Sequence, residues 1–224
     1  MKINIKQTNK QEKVINIEDK LINAMNNYKI VKESGNSKFE RLDNWLEKES
    51  QLYKSEIKNN KRTYIHLKRG TIVKVDFGVN VGCELCHTHF AIVLSKYDNI
   101  KQETIIVLPL TSKPGVGRIP LNNLIKNEIL NNIKKKGITD NNAKEIFDLL
   151  DEYKKYKDFS YAYISQITTI SKSRLIYSNN KYDIINRTRC SNEILDKIDD
   201  EIIATITGKK IIDMSLDEKL VIKS

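Results

Sequence analysis

The chain of 224 residues carries 39 Lys plus Arg against 29 Asp plus Glu, giving a formal net charge of +10 and a pI of about 9.3. That length suits one elaborated domain or two small ones with a real buried core. The basic excess favours a polyanionic partner: RNA, DNA, an acidic protein or an anionic membrane face. A composition rich in Lys, Asn and Ile also gives a solvated basic surface with no ligand, so charge alone does not choose among these. No run of about eighteen apolar residues is present, which argues against a membrane-spanning segment. The opening MKINIKQTNKQEK lacks the apolar stretch of a signal peptide, so the expected compartment is the cytoplasm. Three unevenly placed cysteines make no disulfide framework and agree with a reducing environment.

In chain order, residues 1–16 are polar and expected to fray. From Ile17 to about Glu33, Ile17, Leu21, Met25, Tyr28 and Ile30 recur near helical spacing, and Ser34-Gly35-Asn36 breaks the pattern. Ser37-Lys38-Phe39-Glu40 fits a capping box opening a second helix, with Phe39, Leu42, Trp45, Leu46 and Tyr53 on one side and an end near Lys58. The first sixty residues thus read as a helical hairpin, joined by a polar linker to the strand-rich centre of the chain.

The central stretch has another period. Ile72 to Phe77, Phe90 to Leu94 and Glu103 to Leu110 alternate Val and Ile with other residues, separated by Gly-, Asn- and Asp-bearing turns. Those are the marks of short antiparallel strands. After the loop Pro114-Gly115-Val116-Gly117-Arg118, residues 119–157 read as an inserted pair of helices. Leu121, Leu124, Ile125, Ile129 and Ile133 mark the first; Ala143, Ile146, Phe147, Leu150 and Tyr153 follow Gly137 on the second. Strand character resumes from Ser160 to Thr169 and again from Arg174 to Tyr177. Ser191 is the N-cap of a last helix striped by Ile194, Leu195, Ile198, Ile202, Ile203 and Ile206 and stopped by Gly208, before a tail from 209 to 224.

Arg69-Gly70 before the first strand, VNVGCEL in the next loop, HFAIVLS as second strand and VLPLTSK closing the third together resemble the MazF/PemK family, toxin endoribonucleases of bacterial toxin–antitoxin pairs. SYAYISQITTISKSRL at 160–175 resembles that family's later strand pair, and the matched segments cover somewhat less than half of the chain. The resemblance implies an α+β fold: a small SH3-like antiparallel β-barrel of the MazF/PemK type over residues 61–208. To it this chain adds an N-terminal helical extension over 1–60, the helical insertion at about 119–157 and the C-terminal helix. The implied activity is metal-independent cleavage of single-stranded RNA by 2′-OH attack, with no cofactor. The implied assembly is a homodimer neutralised by an antitoxin protein that fills the RNA groove. In some relatives the pair also binds its own operator DNA.

Cleavage of this kind needs a base for the 2′-OH proton, an acid for the leaving oxygen and donors for the developing charge. Where many of these toxins carry a catalytic arginine, this chain has His89, a group that titrates near neutrality and can take or give a proton. Thr111 matches the family's reactive threonine, with Ser112 and Lys113 beside it. The catalytic candidates are therefore His89 and Thr111. Candidate RNA contacts are Arg69, Ser112, Lys113, Gln166, Lys172 and Arg174. The acidic residue some members place after Arg-Gly is Thr71 here, and an arginine and an aspartate of plasmid-type members fall on Tyr163 and Ser165. Those losses define the rival expectation: a barrel that binds nucleic acid or protein without cutting. The loop from Cys83 to His89 also holds Cys-x-x-Cys-His, the pattern of c-type haem attachment and half of a zinc site. Haem attachment requires export and zinc requires four ligands, so no metal is expected there; a thiol- or metal-based sensor is the third alternative.

Overall fold

The computed structural model describes residues 3–58, 62–121, 123–154, 160–185 and 187–208. The tail from 209 and part of the linker after Lys58 fall outside them. The chain is α+β, with a seven-stranded antiparallel sheet and helices before, within and after it.

β1 (Ile72–Asp76), β2 (Thr88–Val93) and β3 (Thr104–Thr111) form a meander, with Ile72 opposite Ile92 and Ala91 opposite Pro109. Side chains alternate across a strand, so this register sorts each strand between two faces. Val73, Val75, Phe77, Ala91, Val93, Ile105 and Val107 form one core with Leu67, Ile170 and Leu175. Ile72, Phe90, Ile92, Leu94, Leu108 and Leu110 belong to a second core on the opposite face. There α3 (Leu124–Lys136) and α4 (Asp140–Lys154) of the insertion contribute Leu124, Ile125, Ile129, Ile133, Ile146, Leu149 and Tyr153. Leu195 and Ile198 of α5 (Asn192–Thr207) complete it. A sheet buried on both faces needs long apolar runs, which explains the Val/Ile density of 72–110. Phe147, assigned to the stripe of α4 by its spacing, is exposed; Leu149 takes the inward place.

Later segments finish the sheet. β4 (Arg118–Pro120) pairs with β5 (Tyr161–Tyr163), and β5 pairs with the end of β3. β6 (Thr168–Ser171) pairs with the beginning of β3, and β7 (Leu175–Ile176) with β1. The single strand expected from Ser160 to Thr169 is therefore two, broken by a 3-10 turn at Ile164–Gln166. No ladder joins β6 to β7 among the described residues, so the sheet does not close through hydrogen bonds. A 3-10 turn at Lys172–Arg174 carries the chain round that corner, leaving β7 two residues long.

α1 spans Ile3–Glu33 and α2 spans Leu42–Lys58. α1 starts earlier than the apolar spacing implied, because Lys, Gln and Glu extend a helix without an apolar face. Its Ile17, Leu21, Met25, Tyr28 and Ile30 are exposed rather than packed on the sheet. The capping box at Ser37 does not form: Asn36 Oδ1 accepts the Lys38 N–H at 3.0 Å, a 3-10 turn follows, and α2 begins later.

α2 is the helix that docks. Trp45 is buried against Gly78, at the end of β1, and the Arg174 guanidinium lies 5.0 Å from its ring centroid. Lys48 pairs with Asp76 at 2.5 Å, and Lys38 Nζ donates to the Gly82 carbonyl at 2.6 Å. Gly78 has φ +77°, and a Cβ there would fall 2.3 Å from Trp45 Cε2. Gly78→Ala should therefore cost about 2–4 kcal/mol, from left-handed backbone plus overpacking. Gly82, at φ +59° with no atom within 4 Å of a Cβ, isolates the backbone part. Gly82→Ala should cost about 1–2 kcal/mol, with urea midpoints as the measurement.

Candidate active site

His89 stands near the start of β2, on the face it shares with Ala91 and Val93, its ring edge-on to Phe77 at 6.3 Å. Its Nδ1 lies 3.1 Å from the carbonyl oxygen of Leu110. A carbonyl only accepts, so Nδ1 carries the hydrogen and Nε2 of the neutral ring carries the lone pair. Burial pulls the imidazole pKa below its usual value. The Leu110 and Cys86 carbonyls favour the cation and offset part of that effect, while His87 and Lys113 disfavour a second positive charge. The result is a half-buried, neutral imidazole with one fixed tautomer.

β3 supplies the neighbours. The β2–β3 ladder ends at Ala91 and Pro109, and His89 and Thr111 each lie two residues beyond that pair on their strands, Thr111 being paired with Tyr161 of β5. Thr111 Oγ1 accepts the Lys113 N–H at 3.2 Å, and Ser112 and Lys113 are exposed in the turn after it. Arg118 fixes that turn. Its Nη1 donates to the carbonyls of Lys113 (2.9 Å) and Pro114 (3.0 Å), and its guanidinium stacks 4.1 Å from the centroid of Tyr163. Sequence reasoning places Arg118 in a loop, because no spacing signals that 118–120 pair as a strand with Tyr161–Tyr163.

The other wall is the β1–β2 loop. Gln166, a candidate RNA contact, holds that loop: its Oε1 accepts the Leu85 N–H at 3.1 Å and its Nε2 donates to the Cys83 carbonyl at 3.4 Å. Between the loop and the segment around Gln166 lies a cleft of about 240 Å³ lined by Phe77, Asn80, Glu84, Leu85, Gln166 and Thr168 among others; Phe77, whose ring meets His89 edge-on, links it to the histidine. Glu84, in the loop that carries the VNVGCEL pattern, brings a carboxylate to this lining. Among the described residues no group of three or more His, Cys, Asp and Glu side chains could hold a metal ion. Cys83 is exposed and Cys86 half-buried, its Sγ accepting the Asn80 N–H at 3.3 Å. Cys190 is buried, and burial pushes its thiol up to about 12. At pH 8 iodoacetamide should label Cys83 readily and leave Cys190 unmodified until the chain is denatured, as read by peptide mass spectrometry.

With this geometry in hand, the chain can be compared with known protein families. The family model for PemK-like, MazF-like toxins of type II toxin–antitoxin systems aligns with residues 68–206. The chain belongs to this family. No curated protein matches it. The matched span holds the whole sheet, the insertion and most of α5, and leaves α1 and α2 of this PemK-like chain outside. Among the described residues no helix is long and apolar enough to cross a membrane.

Three RNA-contact candidates of the PemK-like chain are engaged in holding the fold. Arg69, at the opposite end of β1, donates to the Leu94 carbonyl and pairs with Asp199 of α5, so it latches that helix to the sheet. Lys172 is a correction: its side chain is 0% exposed, and its ammonium bonds Asp98 (2.6 Å) and the carbonyls of Ile65 and Asn99 (3.1 Å each). No ligand reaches it. Arg174 donates to the Phe77 carbonyl at 3.2 Å beneath Trp45, tying α2 to the end of β1.

Proposed function

We propose that this PemK-like chain is a toxin endoribonuclease that cuts single-stranded RNA through attack of a ribose 2′-OH on the adjoining phosphorus. The observation that carries the reading is the half-buried His89, its Nε2 lone pair set by the bond from Nδ1 to the carbonyl of Leu110, the residue just before Thr111 on β3. Nε2 takes the 2′-OH proton as the new P–O bond forms. The Thr111 hydroxyl and the Lys113 ammonium face the phosphorane's charge, and the leaving 5′-oxygen takes a proton from solvent as its bond to phosphorus breaks, the proton held on Nε2 returning to solvent afterwards. The products are a 2′,3′-cyclic phosphate and a 5′-hydroxyl. The sheet is read as an SH3-like barrel opened between β6 and β7, spanning 61–208 after an N-terminal extension. A homodimer in the cytoplasm, silenced by an antitoxin that covers the same groove, completes the proposal.

The test is controlled expression of wild type beside His89→Ala, monitoring growth and probing total RNA for new 5′-hydroxyl ends. Arrest with new ends that vanish in the variant is the expected outcome. Healthy growth with intact RNA overturns the nuclease and favours a non-cutting binding module.

A further inference from the structure

Beside the candidate active site lies a second cleft, on the α2 side of the β1–β2 loop. It has a volume of about 140 Å³ and is lined by Arg41, Asn44, Lys48, Asp76 and His87 among others. Asn44 and Lys48 are one turn apart on α2 and Arg41 immediately precedes that helix, so the start of α2 forms its wall. The charges there are unequal in what they already hold. Lys48 and Asp76 satisfy each other. Arg41 is exposed, and among the described residues its guanidinium makes no hydrogen bond or ion pair with the protein.

The cleft lies beside the chain entering β2, for His87 and Thr88, which line it, lead directly into His89. His87 lines it and also lies close enough to His89 to disfavour the cation there. His87 is held at φ +68°, an uncommon conformation for a residue with a side chain, by bonds between its backbone and those of Phe77 and Gly78. The α2 wall is equally fixed, by Trp45 on Gly78 and Lys38 on Gly82. An unpaired cation carried on a fixed helix start, in a cleft beside the chain that leads into His89, suits a phosphate of a bound strand away from the cut.

We propose that this cleft is a phosphate subsite for single-stranded RNA, with Arg41 as its cation, so that the N-terminal helices form part of the substrate groove. This rests on the nuclease reading. The subsite binds a phosphate remote from the cut, so it acts on affinity and not on the bond-breaking step.

The test uses the full chain and a fluorescent single-stranded RNA that the wild type cleaves. Arg41→Gln should raise Kd and KM about tenfold, leave kcat within twofold and lower the slope of log K against log salt by about 0.7. Arg41→Lys should recover most of the affinity. Lys134→Glu, a charge reversal on exposed α3, should leave affinity within twofold. Unchanged affinity in Arg41→Gln, or an equal loss in Lys134→Glu, overturns the subsite while the nuclease stands. A wild type that neither binds nor cuts RNA overturns the nuclease and the subsite together.

Discussion

Lys172→Met lowers the unfolding free energy by about 3–5 kcal/mol, the expected cost of leaving one half of a buried ion pair without the other. Both side chains of the Lys172–Asp98 pair are 0% exposed. The pair joins three segments. Lys172 belongs to the 3-10 turn between β6 and β7, Asp98 to the β2–β3 connection, and Ile65, whose carbonyl Lys172 also holds, leads into β1. Asp98 in turn accepts the Leu67 N–H at 2.8 Å. This is the corner where no strand ladder closes the sheet, so the ammonium does there what backbone hydrogen bonds do elsewhere. Methionine fills similar volume but removes the ammonium's bonds to the carboxylate and to two carbonyls, leaving the Asp98 charge buried without its counter-ion. In a chain of this size the loss corresponds to roughly 6–20 °C in Tm, measured by calorimetry. The buried pair is little screened, so the drop should be much the same at low and at molar salt. A drop below about 1 kcal/mol, or one that disappears in salt, would mean that the pair is solvated and the corner held by something else.

Lys172 also marks where sequence reading stops. Next to Ser171, Ser173 and Arg174 it has the look of an exposed basic turn, and nothing local announces a carboxylate seventy-four residues away in the β2–β3 connection. The strands at 72–110 were legible because both faces of the sheet are buried, so Val- and Ile-rich runs stand out between the turn residues. The α3–α4 insertion was legible for a related reason: its apolar stripes are the ones that cover the sheet. α1 carries a similar stripe, yet its apolar residues are exposed, since spacing shows that a face is apolar but not what meets it. His89 and Thr111 could be found because each lies at a strand end in a segment with a family pattern. Arg118 and Arg41 could not, for their positions depend on the β4–β5 pairing and on where α2 docks.

His89→Asn should lower kcat by about 10²–10⁴-fold while leaving the fold in place. Asparagine can still donate to the Leu110 carbonyl, as Nδ1 does now at 3.1 Å, but it has no nitrogen that accepts a proton. The loss therefore reports the missing base and not a loosened strand, and RNA affinity should change little. The wild-type pH profile gives an independent reading. The base works when neutral, and burial holds its pKa below the usual value of about 6.5. The acid limb of kcat/KM should accordingly lie below pH 6.5. Stability has the same sign. The unfolded chain binds the proton more readily than the folded one, so His89 favours folding above about pH 6.5 and that contribution falls away as pH drops toward the folded pKa. His89→Asn removes this dependence, so its urea midpoint should fall less than the wild type's between pH 7 and pH 5. Full activity in His89→Asn, or an acid limb above pH 7, would remove His89 from the proton-accepting role and shift attention to Glu84, the carboxylate on the neighbouring loop.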